Sequence, residues 1–244
     1  MLRSIISILF VLLSVPAIAQ DDEDTVATQP ALDSMHLLRF SADISRPILF
    51  SGSDRRRSYE FEVDYYWKKE LYFVVEGGWG RSVLQDSTLS FTSNNKFFKA
   101  GITKSMLSRR MANDWDMAFI GARYALGLIE RGEASYVTWD PFWGTTSGVV
   151  PGKSLTAHWA EVVAGVKLEL YKGIFAGWTV RGKFLLNKNA FRELPPAYIA
   201  GYGKGDKNAI FDFNFYLGYA IKWQKARPSI PAPVVEPLQE NAEQ

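Results

Sequence analysis

The chain of 244 residues has no cysteine and only two histidines, His36 and His158. Without thiols there can be no disulfide, zinc finger or iron–sulfur centre, and two histidines on separate strands do not make a multi-histidine metal site. No cofactor and no metal is therefore expected. Charge is nearly balanced, with 28 Lys and Arg against 26 Asp and Glu. Such a chain offers no cationic excess for nucleic acid, which is not expected as a partner. Beyond the first twenty residues there is no apolar run approaching the ~20 residues of a membrane-spanning helix. Membrane proteins that cross with strands are untouched by that absence.

What the chain has in excess is aromatics, 14% of its residues. They alternate with polar residues. From 211 to 223, Phe211, Phe213, Phe215, Leu217, Tyr219, Ile221 and Trp223 alternate with Asp212, Asn214, Tyr216, Gly218, Ala220 and Lys222. A strand turns successive side chains to opposite faces, so one face here is greasy and the other polar. Seven further segments repeat the pattern, beginning near Leu38, Tyr59, Leu71, Phe98, Ala118, Val162 and Ile174. No helical period interrupts them. The expected fold is all-β, an eight-stranded antiparallel up-and-down transmembrane barrel with a filled polar interior.

The ends read differently. Met1-Leu2-Arg3 is basic, Ile5 to Val15 is apolar, and Ala17-Ile18-Ala19 presents small residues. That is the layout of a cleaved secretory signal over residues 1–19. An acidic, flexible segment is expected at 20–34 and the barrel at 35–224. The tail 225–244, with Pro228, Pro231, Pro233 and Pro237, reads as disordered. Short connections (Lys68-Lys69-Glu70, Tyr171-Lys172-Gly173, 105–114) alternate with longer ones at 50–57, about 82–96, about 129–155 and about 187–208. Short periplasmic turns and long outer loops, with both termini periplasmic, fit a Gram-negative outer membrane.

A soluble lipocalin-like ligand-binding barrel also alternates, so the two faces need separate reading. The polar face carries Arg39, Glu60, Glu62, Glu76, Lys99, Arg123, Glu161, Lys167, Arg181 and Asp212, which can pair into an interior plug, since eight strands enclose only side chains. The apolar face gathers Tyr65, Trp67 and Trp223 at strand ends, as an aromatic girdle does. Tyr216, Gly218, Ile221 and Trp223 resemble the C-terminal signal read by the barrel-assembly machinery. In its whole layout the chain resembles a family of uncharacterised small outer-membrane barrels from Bacteroidota, a domain-of-unknown-function family. The resemblance implies location and fold, and no activity.

Candidate sites lie in the connections. Tyr136, Trp139, Phe142 and Trp143 make an aromatic loop able to stack on a glycan or dock a protein. Arg55, Arg56 and Arg57 suit lipopolysaccharide phosphates. His158, with Ser154, Glu161 and Asp140 near it in sequence, leaves open a lipid-modifying enzyme with a rim active site. The leading expectation is a structural, adhesion or partner-binding barrel without a solute-sized pore.

Overall fold

The computed structural model describes residues 35–50, 55–109, 114–191 and 194–224. The expected signal segment 1–19, the acidic segment 20–34 and the tail 225–244 lie outside them. In chain order the elements are β1 (Met35–Asp43), α1 (Ser45–Phe50), β2 (Arg56–Lys68), β3 (Leu71–Gln85), β4 (Leu89–Ser105) and β5 (Met117–Arg131). There follow β6 (Ala134–Asp140), β7 (Gly144–Val150), β8 (Lys153–Tyr171), β9 (Ile174–Leu185), a 3₁₀ turn (Lys188–Phe191) and β10 (Ala209–Gln224).

Eight of these strands close on themselves. The ladder runs β3-β2-β1-β10-β9-β8-β5-β4, and β4 pairs back onto β3. Every pairing is antiparallel, and the barrel is sealed by β1 against β10, from Met35 opposite Gln224 to Asp43 opposite Tyr216. Closure removes the edges that an open sheet would expose. Residues 35 and 224 therefore sit at one end, here the terminal end. The β2–β3 and β8–β9 turns, the last residue of β4 (Ser105) and the first of β5 (Met117) share it.

Two of the three terminal-end connections are two-residue turns with left-handed backbone, Lys69 and Glu70 at φ 50° and 59°, and Lys172 and Gly173 at 29° and 91°. Turns with positive φ at both centres match the right-handed strand twist and so permit tight hairpins. Each follows a register shift, at Tyr66/Lys68 and at Glu169/Tyr171.

The polarity of the barrel is inverted relative to a soluble protein. Phe213, Phe215, Leu217, Tyr219 and Ile221 point outward and are about half exposed, as are Phe61, Phe73, Phe98, Ile120, Val162 and Trp178 on the other strands. Arg39, Glu60, Glu62, Asp64, Glu76, Lys99, Arg123, Glu161, Lys167 and Arg181 point inward and are buried. Soluble monomers rarely leave a contiguous apolar patch beyond a few hundred Å². This one encircles the molecule. The lipocalin-like alternative is corrected here, because an apolar ligand would meet ions inside and the apolar side chains face out.

The far-end connections differ from their expected form. The segment 82–96 is almost all strand: β3 and β4 pair as far as Gln85 and Ser90, leaving only Asp86–Thr88 as turn. Ser82, Ser90, Thr92, Ser93, Asn94 and Asn95 make the ladder polar on both faces, which erases the alternation a sequence reading relies on. The segment 129–155 holds the end of β5 and an extra hairpin, β6–β7, attached through Leu89–Tyr136 and Ser90–Ser135. The first connection carries α1, whose start is held by Asp43 accepting bonds from the Ser45 amide (2.8 Å) and hydroxyl (2.5 Å).

Candidate functional surfaces and the sealed lumen

Five cations and five carboxylates meet inside the barrel. Arg39 forks onto Asp64 (2.9 and 3.0 Å), and Lys167 reaches both Asp64 (2.6 Å) and Glu62. Arg123 bridges Glu62 (2.9 Å) and Glu76. Lys99 lies 3.1 Å from Glu76 and Glu161 and 3.4 Å from Glu60. Arg181 contacts Glu60 and Glu76 at 2.8 Å and Glu161 at 3.4 Å.

The register explains why cations must lie between them. Glu62 stands directly opposite Glu76 across β2 and β3, a repulsive pair on its own. Arg123 joins the two. Lys99 and Arg181 are completely inaccessible, so each ion has exchanged water for counter-charges. Burying one ion costs several kcal/mol unless geometry and hydrogen bonding offset it. Equal numbers of each sign, with every cation within 3.4 Å of at least one carboxylate, supply the offsetting charge. Space comes from glycine: a Cβ on Gly101 would stand 2.8 Å from Arg123 Cγ, and one on Gly177 would stand 2.8 Å from Lys167 Cγ.

Apolar clusters close the lumen on both sides of this layer. At the terminal end Leu37, Tyr66, Tyr72, Trp115, Met117, Phe119 and Phe175 pack together. Arg109 covers them, its guanidinium 4.2 Å from the Tyr66 ring and 4.3 Å from Trp115, and its Nε donates to Glu70 (3.0 Å). At the far end the long β9–β10 connection folds back into the mouth. Phe191, Tyr198, Ile199, Ala200 and Tyr202 bury themselves against Phe97, Ala125, Ile129 and Trp159.

That inward loop turns tightly, with Ile199 and Gly203 exchanging backbone bonds of 2.7 and 2.8 Å. Gly201, at φ 77°, presses on Phe97, whose ring would lie 2.8 Å from a Cβ there. Lys183 donates to the Gly201 carbonyl (2.7 Å) and Asn95 to that of Tyr198 (3.1 Å). A second ion set anchors the loop: Arg46 of α1 donates to Tyr198 (2.7 Å) and to Asp212, which Lys183 also contacts. Asp212 thus sits at the rim of the lumen, bonded to the mouth and not to the central layer. Burial pushes the Tyr198 phenol above its ordinary value and that of Tyr202 up to about 12. The sequence offers one hint of this loop, the apolar run Tyr198-Ile199-Ala200 followed by Gly201-Tyr202-Gly203 between two strands.

The outer candidates fare unequally. Tyr136, Trp139, Phe142 and Trp143 lie on the β6–β7 hairpin, with Phe142 91% and Trp143 86% exposed at its tip. Asp140 shapes that tip by accepting from the Phe142 (2.7 Å) and Trp143 (3.0 Å) amides. The expected three-arginine loop is corrected. Arg56 and Arg57 belong to β2 and face opposite ways, and Arg56 lies 5.6 Å from the Tyr198 ring at the mouth. The enzyme constellation is not assembled. His158 is on the outer wall, its Nδ1 2.7 Å from the Tyr124 hydroxyl, whereas Glu161 is inside with Lys99 and Arg181. Asp140 is committed to the hairpin turn. His36 stacks with Tyr65 and Trp223 on the outer wall at the terminal end.

In β10, Tyr216 points inward, donating to Glu60 (2.6 Å) and accepting from Arg181, so a phenol serves as the polar residue of that strand. Gly218 lies opposite Ser41, where a Cβ would come within 2.4 Å of the hydroxyl. Ile221 and Trp223 face outward.

The chain belongs to the family described as Domain of unknown function (DUF6048), whose model matches residues 1–226. No curated protein matches it in sequence. Among solved structures it is similar to Neisserial surface protein A (NspA), at 13% identity and a TM-score of 0.39, over 78% of this chain and 97% of that one. It is also similar to Ail, the attachment invasion locus protein of Yersinia pestis, in complex with the heparin analogue sucrose octasulfate: 8% identity, TM-score 0.36, 77% and 97% covered. The N-terminal β-barrel domain of Pseudomonas aeruginosa OprF gives 11%, 0.30, 78% and 98%. With similarity this distant, the architecture rests on the closed strand ladder of the chain itself.

Proposed function

We propose that this member of the family is an integral outer-membrane protein, a sealed anchor that displays the β6–β7 hairpin outside the cell. One observation carries the reading: the outward apolar girdle combined with an ionic, fully packed interior, which only a lipid surround makes stable. On this reading the terminal end faces the periplasm, the segment 1–19 is removed on export, and 225–244 lies on the periplasmic side. Outer-membrane lipid and lipopolysaccharide surround the barrel, and the Tyr216, Gly218, Ile221 and Trp223 pattern is what the assembly machinery reads. A Bacteroidota source fits the layout.

The role is adhesion or partner binding. Phe142 and Trp143 offer large contact area at low entropic cost, the kind of surface that docks a protein or stacks on a glycan. The lumen, closed at three levels by described residues, supports no solute flow. Heat-modifiable migration of the protein from membrane fractions tests the anchor, and migration unaffected by boiling sinks it. Deleting 135–145 tests the display role. The barrel should stay heat-modifiable while adhesion of cells to glycan- or protein-coated surfaces drops, and unchanged adhesion rejects the hairpin as the binding element.

A further inference from the structure

The barrel has no open edge, but the hairpin has one. β7 (Gly144–Val150) stands at the end of the strand ladder and pairs, among the described residues, with β6 alone. Which of its backbone groups stay unused follows from its neighbour. Val137 of β6 turns its amide away from β7 and donates to the Thr88 carbonyl (2.9 Å). Residues opposed in an antiparallel pair either exchange both bonds or both turn away. Ser147, opposite Val137, therefore points its own N–H and C=O to the free side, and by the period of two Thr145 and Val149 do the same.

Native sheets blunt such an edge with charge, proline or a bulge. β7 reads Gly-Thr-Thr-Ser-Gly-Val-Val, with neither charge nor proline, and its seven residues pair with β6 without a register shift. A row of alternating donors and acceptors in that geometry complements another extended polypeptide. Strand addition takes its affinity from the main chain and its specificity from side-chain pockets, and the small Thr and Ser along this edge read little of a foreign sequence. The edge is complementary to itself. Centred on Ser147, an antiparallel copy sets Thr145 against the partner's Val149, a β-branched pair, and Ser147 against its own counterpart. About six main-chain bonds then form, and no like charges meet. The same register carries Trp143, 86% exposed, to the partner's Pro151, an exposed apolar residue at the hairpin base. One two-fold axis thus covers both tips and both bases.

We infer that β7 is a homophilic edge: it pairs antiparallel with β7 of a second copy, centred on Ser147, and joins two opposing membranes. Strand direction decides that geometry. β6 leaves the hairpin base at Ala134 and β7 returns to it at Val150, a rise of about 24 Å for seven strand residues. Antiparallel pairing lays each tip beside the other's base, so the second barrel arrives from the opposite side. β3 and β4 continue as a polar pair to Gln85 and Ser90, and the hairpin is attached at Leu89 and Ser90, which lifts the edge above the apolar girdle. The inference deepens the display reading above and rests on it, naming the hairpin's partner as this same chain on a facing surface.

Phosphatidylcholine vesicles carrying the full chain, in two fluorescently labelled populations, test it through clustering between populations. Parent vesicles should cluster. S147P removes the N–H at the axis from both copies, and leaves the β6 ladder intact because that group does not bond β6. The protein density needed for half-maximal clustering should rise about thirtyfold, about fivefold for each of the two bonds lost. S147K and S147E vesicles should each stay dispersed, since like charges meet at the axis, and a mixture of the two should cluster again. That restoration requires both variants to be folded, so misfolding cannot imitate it. Parent vesicles that stay dispersed, S147P matching the parent, or mixed S147K and S147E vesicles that stay apart overturn the inference. So do dimers formed within one membrane without bridging, which would mean parallel pairing. Loss of adhesion to protein-coated surfaces in S147P, with no vesicle clustering by the parent, would assign the edge to a foreign strand instead. Heat-modifiability and surface adhesion recorded on the same samples separate the failures: a parent that inserts and adheres but does not cluster indicts the homophilic edge alone.

Discussion

Replacing Arg181 with methionine removes one of the two cations, with Lys99, that touch three carboxylates each in the lumen. It contacts Glu60 and Glu76 at 2.8 Å and Glu161 at 3.4 Å, and Tyr216 as well. Methionine fills much of the volume, so the effect is chiefly electrostatic. Five carboxylates would then face four cations, Arg39, Lys99, Arg123 and Lys167. Removing one partner of a buried pair costs about 3–5 kcal/mol, because an uncompensated charge stays behind. Lys99, 3.1 Å from both Glu76 and Glu161, shares the load, so the lower half of that range is expected. The double variant R181M/E76Q restores equal numbers and leaves a neutral amide near Lys99 and Arg123. Its cost should be about 1–2 kcal/mol, smaller than that of R181M alone and well below the sum of the single changes. Urea unfolding of the barrel in detergent micelles, followed by tryptophan fluorescence, measures all four members of the cycle. If R181M costs less than about 1 kcal/mol, or if the single effects simply add, charge balance is not what holds the lumen.

Two further outcomes follow from the same packing. Gly101→Val should destabilise by about 2–3 kcal/mol in the same unfolding assay, since its Cβ would lie 2.1 Å from the Ala122 carbonyl and 2.8 Å from Arg123 Cγ; an unchanged midpoint would show that the strands yield there. The mouth loop should loosen in alkali. Burial raises the Tyr198 and Tyr202 phenols, so the fold favours their neutral forms. That contribution is intact below the ordinary tyrosine value of 10.0 and for Tyr202 disappears as pH rises toward about 12. Limited proteolysis within 194–208 should speed up across that window, and a flat profile would refute it.

Alternation by itself determined the architecture and the facing of residues wherever one face is apolar, because strand side chains have a period of two and any register must keep ions on one side and rings on the other. From Phe211 to Trp223 the pattern alone fixes which side chains point outward, and the Lys69–Glu70 and Lys172–Gly173 turns are legible because nothing but a tight hairpin fits between such strands. Where both faces are polar, as at 82–96, the same reading fails and strand passes for loop. Only the closed barrel decided partners. Arg181 meets Glu60, Glu76 and Glu161 from three other strands, Arg57 meets Arg81, and Tyr198 drops into a mouth that did not exist until eight strands closed. Their separations along the chain exceed anything a local period encodes, since contacts across a barrel depend on closure and stagger, which are properties of the whole ring.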